Sequence, residues 1–312
     1  MMLQIHKTSV AIIFGSVFFL VACQPKSTPA DSSEKASAAQ TSDAQVARLE
    51  GQSVKLNVEL PACDGNNCPE FEVERLTSNY PWIDQKIDAE ILKNLAHILE
   101  ISKAQQTAQE SKKLAEPAAS AVADQNSPLS AQQQLEQKVK PYVQSFIGLD
   151  NELKALSGNH QINLMIKPSI LKSQAPVATV VLNTSSYLGG AHGSAIQQYY
   201  NFDLDHEKLL QLNDLLLPHQ KAALEQRAHE AFKVWVMESK LANSVDEYEQ
   251  AWKFKLSNNF LLGDHGLILQ YGEYEIGPYA VGLPRLVVPY DQLNTILKPE
   301  YLPTQSTSVK GS

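Results

Sequence analysis

Between Val177 and Asp203 the chain reads V-A-T-V-V-L-N, then Y-L-G-G-A-H-G, then Q-Q-Y-Y-N-F-D. No other stretch constrains the fold as much. The near-continuous β-branched run Val177–Asn183 suits a central strand, whose side chains pack on both faces of a sheet. Tyr187–Gly193 then places two adjacent glycines and a third after a histidine, a composition that permits a tight, shaped bend and holds His192 at it. The polar-aromatic run Gln197–Asp203 continues the sheet. A second tyrosine- and glycine-rich stretch, Tyr271–Tyr290, is read as the partner of this bend. A central strand needs layers on both sides, and with 312 residues, 43% of them apolar, there is enough material for a real core.

The rest of the chain supplies those layers. Val54–Leu60 and Glu70–Leu76 alternate apolar and polar residues and predict two half-buried strands. Between them lie Cys63 and Cys68, separated by turn-forming residues, which predicts a disulfide at the tip of a hairpin; two thiolates binding a metal is the alternative, but C-x4-C lacks a second ligand pair of zinc spacing nearby. Ile83, Ile87, Ile91, Leu95 and Ile98 recur at helical spacing, so a helix is predicted from Asp84 to about Lys103, its stripe facing the core. Residues 102–134 fill with Ala, Gln, Ser and Lys and read as a flexible insertion. A second helix is predicted from Ser130 to Leu156, with Pro141 kinking or restarting it. Beyond Gly158 the texture turns to strands, Gln161–Lys167 among them, interrupted by a helix from His219 to about Glu238. Leu267–Tyr271 and Arg285–Pro289 are further strands. The expected fold is α+β, an antiparallel sheet with helices packed on it and an N-terminal disulfide hairpin.

At the N-terminus Lys7 precedes an apolar run, Val10–Val21, too short for a bilayer span of about 20 residues. It closes in L-V-A-C at Leu20–Cys23 and resembles a bacterial lipobox, with Cys23 as the acylated residue; an ordinary cleaved signal or an anchor helix is the alternative. Gln24 in place of aspartate favours the outer membrane, facing the periplasm. Residues 1–22 are thus read as a lipoprotein signal peptide and 23–50 as a flexible tether poor in apolar residues. Residues 51–160 are read as an N-terminal hairpin and helices, and 161–302 as a C-terminal α+β domain. The formal charge of -8 argues against a nucleic-acid partner and leaves room for a cationic one.

Several residues invite chemistry. His192 on the glycine bend reads as a hydrogen-bonded structural residue, a ligand contact, or a general base. No spacing supplies the nucleophile and orienting acid the last role needs. His229-Glu230 lacks the second histidine of a zinc protease site, and Ser194 lacks a G-x-S-x-G context. Glu273 and Glu275 alternate and could flank a sugar, or lie on a solvated strand face. Arg285 could bind a carboxylate or pair with one of those two glutamates. No cofactor and no metal is expected. Tyr187, Gly189, Gly190, His192, Tyr271, Tyr274, Tyr279 and Arg285 are the candidate ligand-binding residues, since tyrosine suits both protein interfaces and sugar stacking.

Taken in order, the hairpin cysteines, G-G-A-H-G at Gly189–Gly193, N-F-D-L at Asn201–Leu204, L-N-D-L-L at Leu212–Leu216 and Y-x-I-G-P-Y-A-x-G at Tyr274–Gly282 resemble a bacterial extracytoplasmic domain of unknown function. The resemblance extends to the extracellular part of the lysozyme-sensing anti-sigma factor RsiV. It covers about Val54 to Leu302. What it implies is a non-enzymatic binding domain at the cell envelope, with lysozyme or peptidoglycan as partner; release of a sigma factor does not carry over. A glycan-acting enzyme using His192 with a carboxylate, and a structural envelope lipoprotein, are the alternatives.

Overall fold

A computed structural model describes residues 47–303, apart from 64, 66, 100–127 and 157–160. The expectations for the signal peptide, for Cys23, for the tether up to residue 46 and for most of the 102–134 insertion fall outside the described residues.

Six strands form one sheet in the order β1 (Gly51–Lys55), β2 (Glu70–Ser78), β3 (Asn163–Lys172), β4 (Val177–Tyr187), β5 (Ser194–Asp203), β6 (Lys208–Leu210). The β-branched run occupies β4, in the interior of this order as its composition predicts. β4 and β5 are antiparallel from Val177 opposite Asp203 to Ser186 opposite Ser194, and the glycine bend joins them. One pair departs from the antiparallel pattern: β2 runs parallel to β3 from Glu70/Asn163 to Val73/Ile166. Between these strands the described residues carry two helices, part of the long crossover that a parallel pair requires. The boundary read at residues 160/161 therefore runs through the middle of one sheet.

Those helices are α1 (Pro81–Ile98) and α2 (Ala131–Ala155). Proline at the first turn of α1 forfeits no hydrogen bond, and the predicted stripe Ile83, Ile87, Ile91 and Leu95 is fully buried. Ser130 and Gln133 form a reciprocal capping box at the start of α2. α2 does not restart at Pro141: it continues through it. The ring removes one backbone bond, but Leu135 and Val139 before it and Tyr142, Val143 and Phe146 after it all enter the core. At roughly 1.5–3 kcal/mol for each large apolar side chain, that burial outweighs the loss of about 3 kcal/mol.

Phe71, Val73, Leu164, Ile166, Val180 and Leu182 face α1 and α2 in this first core. Leu49, assigned to the tether from sequence, is 1% exposed and belongs to it as well. The backbone amide of Leu49 donates to the Ser173 carbonyl at 2.7 Å, and Arg48 bridges Gln174, so the chain already pairs with the end of β3 before β1 begins. Cys63 and Cys68 are bonded in the connection from β1 to β2.

A second sheet was not foreseen as separate. It consists of β7 (Phe260–Leu262), β8 (Gly266–Gln270) and β9 (Arg285–Pro289), and β7 had no prediction. α3 (Lys221–Glu238) buries Leu224, Ala228, Phe232 and Val236 against Leu267, Leu269, Leu286 and Val288 of this sheet. A short α4 (Val245–Ala251) adds Tyr248 to the same core. A small cluster of Val181, Tyr199, Leu261 and Ile268 joins the two sheets. The layers are helix, sheet, sheet, helix, and the double-sided burial of β4 follows from that order.

Candidate functional site

The two stretches singled out from sequence meet. Gly189 has φ +84°, and a Cβ there would lie 2.7 Å from Leu153 of α2. Both the left-handed backbone and the close helix demand glycine. Gly190, by contrast, has only an ordinary contact at 3.8 Å. The bend therefore rests on α2 and turns His192 outward, where it meets the loop between β8 and β9.

In that contact the His192 ring stacks on Tyr279, with centroids 3.8 Å apart and planes at 19°. The Tyr279 hydroxyl donates to the Gly193 carbonyl at 3.0 Å. His192 Nδ1 lies 3.1 Å from the same carbonyl, so it carries the proton. Nε2 is then the acceptor, and the Tyr274 hydroxyl stands 3.1 Å from it. The rings of Tyr274 and Tyr279 are 5.9 Å apart, completing a three-ring cluster. Its members come from two segments more than seventy residues apart in sequence.

Tyr274 has φ +61°, a conformation that costs a side-chain-bearing residue of order 1–3 kcal/mol unless its surroundings impose it. They do. On one side the Glu273 carboxylate accepts from the Ser194 hydroxyl at 3.0 Å and from the Ala195 amide at 2.8 Å. On the other, Glu275 accepts from the Gly272 amide at 2.6 Å and pairs with Lys255 at 2.8 Å. The loop is clasped to β5 on the Glu273 side of Tyr274 and to Lys255 on the Glu275 side, and Tyr274 is left 52% exposed. Glu273 and Glu275 lie in this loop, not on a strand, which corrects the reading of them as one strand face.

The other predicted residues are placed differently. Tyr271 is 0% exposed and its hydroxyl donates to the Lys255 carbonyl at 2.8 Å. Burial pushes its phenol well above the ordinary range, and it is a core residue, not a surface one. Tyr187 closes β4 opposite Asn163, half-buried. Arg285 pairs with neither glutamate. Its guanidinium donates to Gln270 Oε1 at 2.7 Å, to the Tyr199 hydroxyl at 2.7 Å and to Gln197 Oε1, with its charge 5.9 Å from the Tyr199 ring centre.

Glu273, read from sequence as a carboxylate that could flank a sugar, is instead the clasp just described. One contributor escaped the sequence reading. Asn259 stands where β6 is too short to cover the edge of β5: its Nδ2 donates to the Gln197 carbonyl at 2.7 Å and its Oδ1 accepts from the Tyr199 amide at 2.9 Å. One side-chain amide thus pairs as a peptide group of a neighbouring strand would. Asn258-Asn259 ahead of the apolar Phe260-Leu261-Leu262 was the signal available. Among the described residues no group of three or more His, Cys, Asp and Glu is placed to hold a metal ion.

Comparison with known proteins gives this architecture a class. Residues 213–291 match the family model described as a protein of unknown function, DUF3298. The chain carries that domain. The matched stretch holds α3, α4, the second sheet and the Tyr274 loop, while the glycine bend lies outside it. Among solved structures, the chain is similar to a DUF3298 family protein from Pseudomonas aeruginosa PAO1, with a TM-score of 0.57 and 21% identity over 82% of this chain and 96% of that one. It also matches a member of the same family from Bacteroides fragilis NCTC 9343, with a TM-score of 0.49 and 17% identity over 82% and 95%. The Pseudomonas likeness shows a shared fold. No curated protein matches.

Proposed function

We propose that this is a lipid-anchored envelope protein that binds lysozyme or peptidoglycan without catalysing a reaction, resembling in this the extracellular part of RsiV. The anchor would be Cys23, and the location the periplasmic face of the outer membrane. The observation that carries the binding reading is the ring cluster: a tyrosine in left-handed backbone, held out from the surface by carboxylates that are themselves fully engaged. Such preorganisation lowers the ordering cost of binding, and tyrosine is among the residues that dominate interfaces. The Glu273 carboxylate is occupied by Ser194 and Ala195, which favours a positioning role over acid-base chemistry with His192.

Lysozyme is strongly basic, and removal of Lys7 with the leader makes the chain about one unit more negative than -8. The association would then weaken with salt. The test is calorimetric titration with a c-type lysozyme at low and moderate salt, with lytic activity followed in parallel and peptidoglycan fragments as second ligand. Tyr274→Ala is expected to weaken binding at least about fivefold, the effect of losing ~1 kcal/mol or more at an interface anchor. No heat from either ligand would end this reading.

A further inference from the structure

The face of the six-stranded sheet turned away from α1 and α2 is covered on the second-sheet side around Val177 and Val181 of β4 and Tyr199 of β5. Beyond them it is open, with Met165 and Ser185 exposed. Two adjoining hollows of about 450 Å³ and 240 Å³ lie along it and share Met165 and Ser185. They form one groove across the strands, about 15 Å long from three strand spacings of ~4.8 Å. Met165, 45% exposed, marks its centre. At one end it is lined by Ala195, whose amide is held by Glu273, next to Tyr274 in sequence.

The chemistry of the groove narrows what fits it. On β3 and β4 its floor is made of side chains of strands paired on both sides, so an added β-strand has nothing to pair with there. Its charges balance: Lys55 pairs with Glu72 at 2.6 Å and Lys167 with Glu74 at 2.9 Å. Glu70 accepts from Gln161, and the Arg285 charge is spread over two amides and a phenol. Two cations, Lys55 and Lys167, and two carboxylates, Glu70 and Glu72, line it, leaving no net charge to select an ion. The middle of the groove is amide and hydroxyl: Gln197 donates to Asn183 Oδ1 at 2.8 Å, leaving the Asn183 amide nitrogen and the Ser185 hydroxyl available. The apolar lining falls in two parts, Leu60, Phe71 and Leu164 in one hollow and Ala195, Ile196 and Leu283 in the other, with Met165 alone common to both, so it makes no continuous trough for an amphipathic helix.

We infer that this groove binds a neutral glycan chain, hydrogen-bonded along Asn183, Ser185 and Gln197 and flanked at the Ala195 end by the Tyr274 ring cluster. The inference rests on the binding reading above and narrows its ligand from protein or cell wall to the sugar polymer. The sequence supplies a convenient reporter. The folded part contains two methionines, Met165 in the groove and Met237 exposed on α3.

With methionine methyls carbon-13 labelled, the neutral pentamer of β-1,4-linked N-acetylglucosamine should shift the Met165 signal saturably and leave Met237 unchanged. Ser185→Phe, which fills the groove between the hollows, should raise the half-saturating concentration at least tenfold, with the Met237 signal confirming the fold. A Met165 signal that does not respond, one that moves together with Met237, or a Ser185→Phe protein that responds like the wild type overturns the inference. Lysozyme in the same tube separates the failures. Binding of lysozyme with a silent pentamer removes the groove and leaves the binding reading standing, whereas silence from both ligands removes both.

Discussion

At the scale of single residues, the polar groups that matter are positioned by burial and pairing. Asp84 shows the energetic side of this. It lies on α1, buried, and accepts from the Ser78 hydroxyl at 2.7 Å and the Ser78 amide at 3.0 Å. Desolvation nonetheless prevails over these bonds and over nearby Arg75, so its pKa is raised in the folded protein. Asp88, paired with Arg75 at 2.9 Å, is raised for the same reason. A carboxyl whose folded pKa exceeds its unfolded value of about 3.9 stabilises the fold most below that pH and loses the contribution as pH rises through the folded value. Asp84→Asn should therefore flatten the fall in stability as pH rises above about 4, read from urea midpoints at successive pH values; an unchanged slope would show that Asp84 does not carry that pH dependence. Legibility at this scale was uneven. Gly189 and His192 could be picked out because glycine clusters have few other uses. Tyr271 could not be told from Tyr274, since period-2 alternation places a residue on a face but does not say whether another layer covers that face. Arg285 was read as a carboxylate binder, yet its partners Gln197 and Tyr199 are neutral and lie far away in sequence.

At the scale of elements, strand and helix cores were readable wherever a period was long and clean, as in α1 and β4. Three elements show where this stops. The parallel pairing of β2 with β3 depends on where α1 and α2 return the chain, which no local pattern encodes. α2 passes through Pro141 because tertiary packing overrides a local breaker. β7 is three residues long, too short for periodicity, and its place beside β5 is set by Asn259 and by Asn201, which donates to the Phe260 carbonyl at 2.7 Å. Asn259→Ala removes both bonds to β5 and leaves a partly buried amide and carbonyl unpaired. A loss of about 2–4 kcal/mol is expected, from ~1–3 kcal/mol for each abandoned buried group less some rehydration. Chemical denaturation measures it, and a loss under about 0.5 kcal/mol would mean water replaces the side chain at no cost.

At the scale of the whole molecule, two cores share one sheet. Val177 and Leu210 of the large sheet belong to the core around α3, while their neighbours Ala178 and Leu209 pack toward the core around α1 and α2. Strands common to both cores tie them into one cooperative unit. Trp82 packs against the first core and Trp235 and Trp252 against the second, so single-tryptophan variants report them separately. Their unfolding midpoints in urea should coincide, and two resolved transitions would show that the layers melt independently. The α+β class was legible at this scale because helical and strand textures alternate along the chain; the second sheet was not, because its strands are short and scattered around long loops.

The Asn259 amide carries a liability that grows with the age of the molecule. Hydrolysis to aspartate would set a carboxylate oxygen against the Gln197 carbonyl where an N–H donor stood, and the repulsion would lift β7 away from β5. The bared strand edge is a template for the same edge of another copy. One slow covalent change, leaving sequence length and nearly all packing untouched, would convert a self-contained fold into a seed for aggregation.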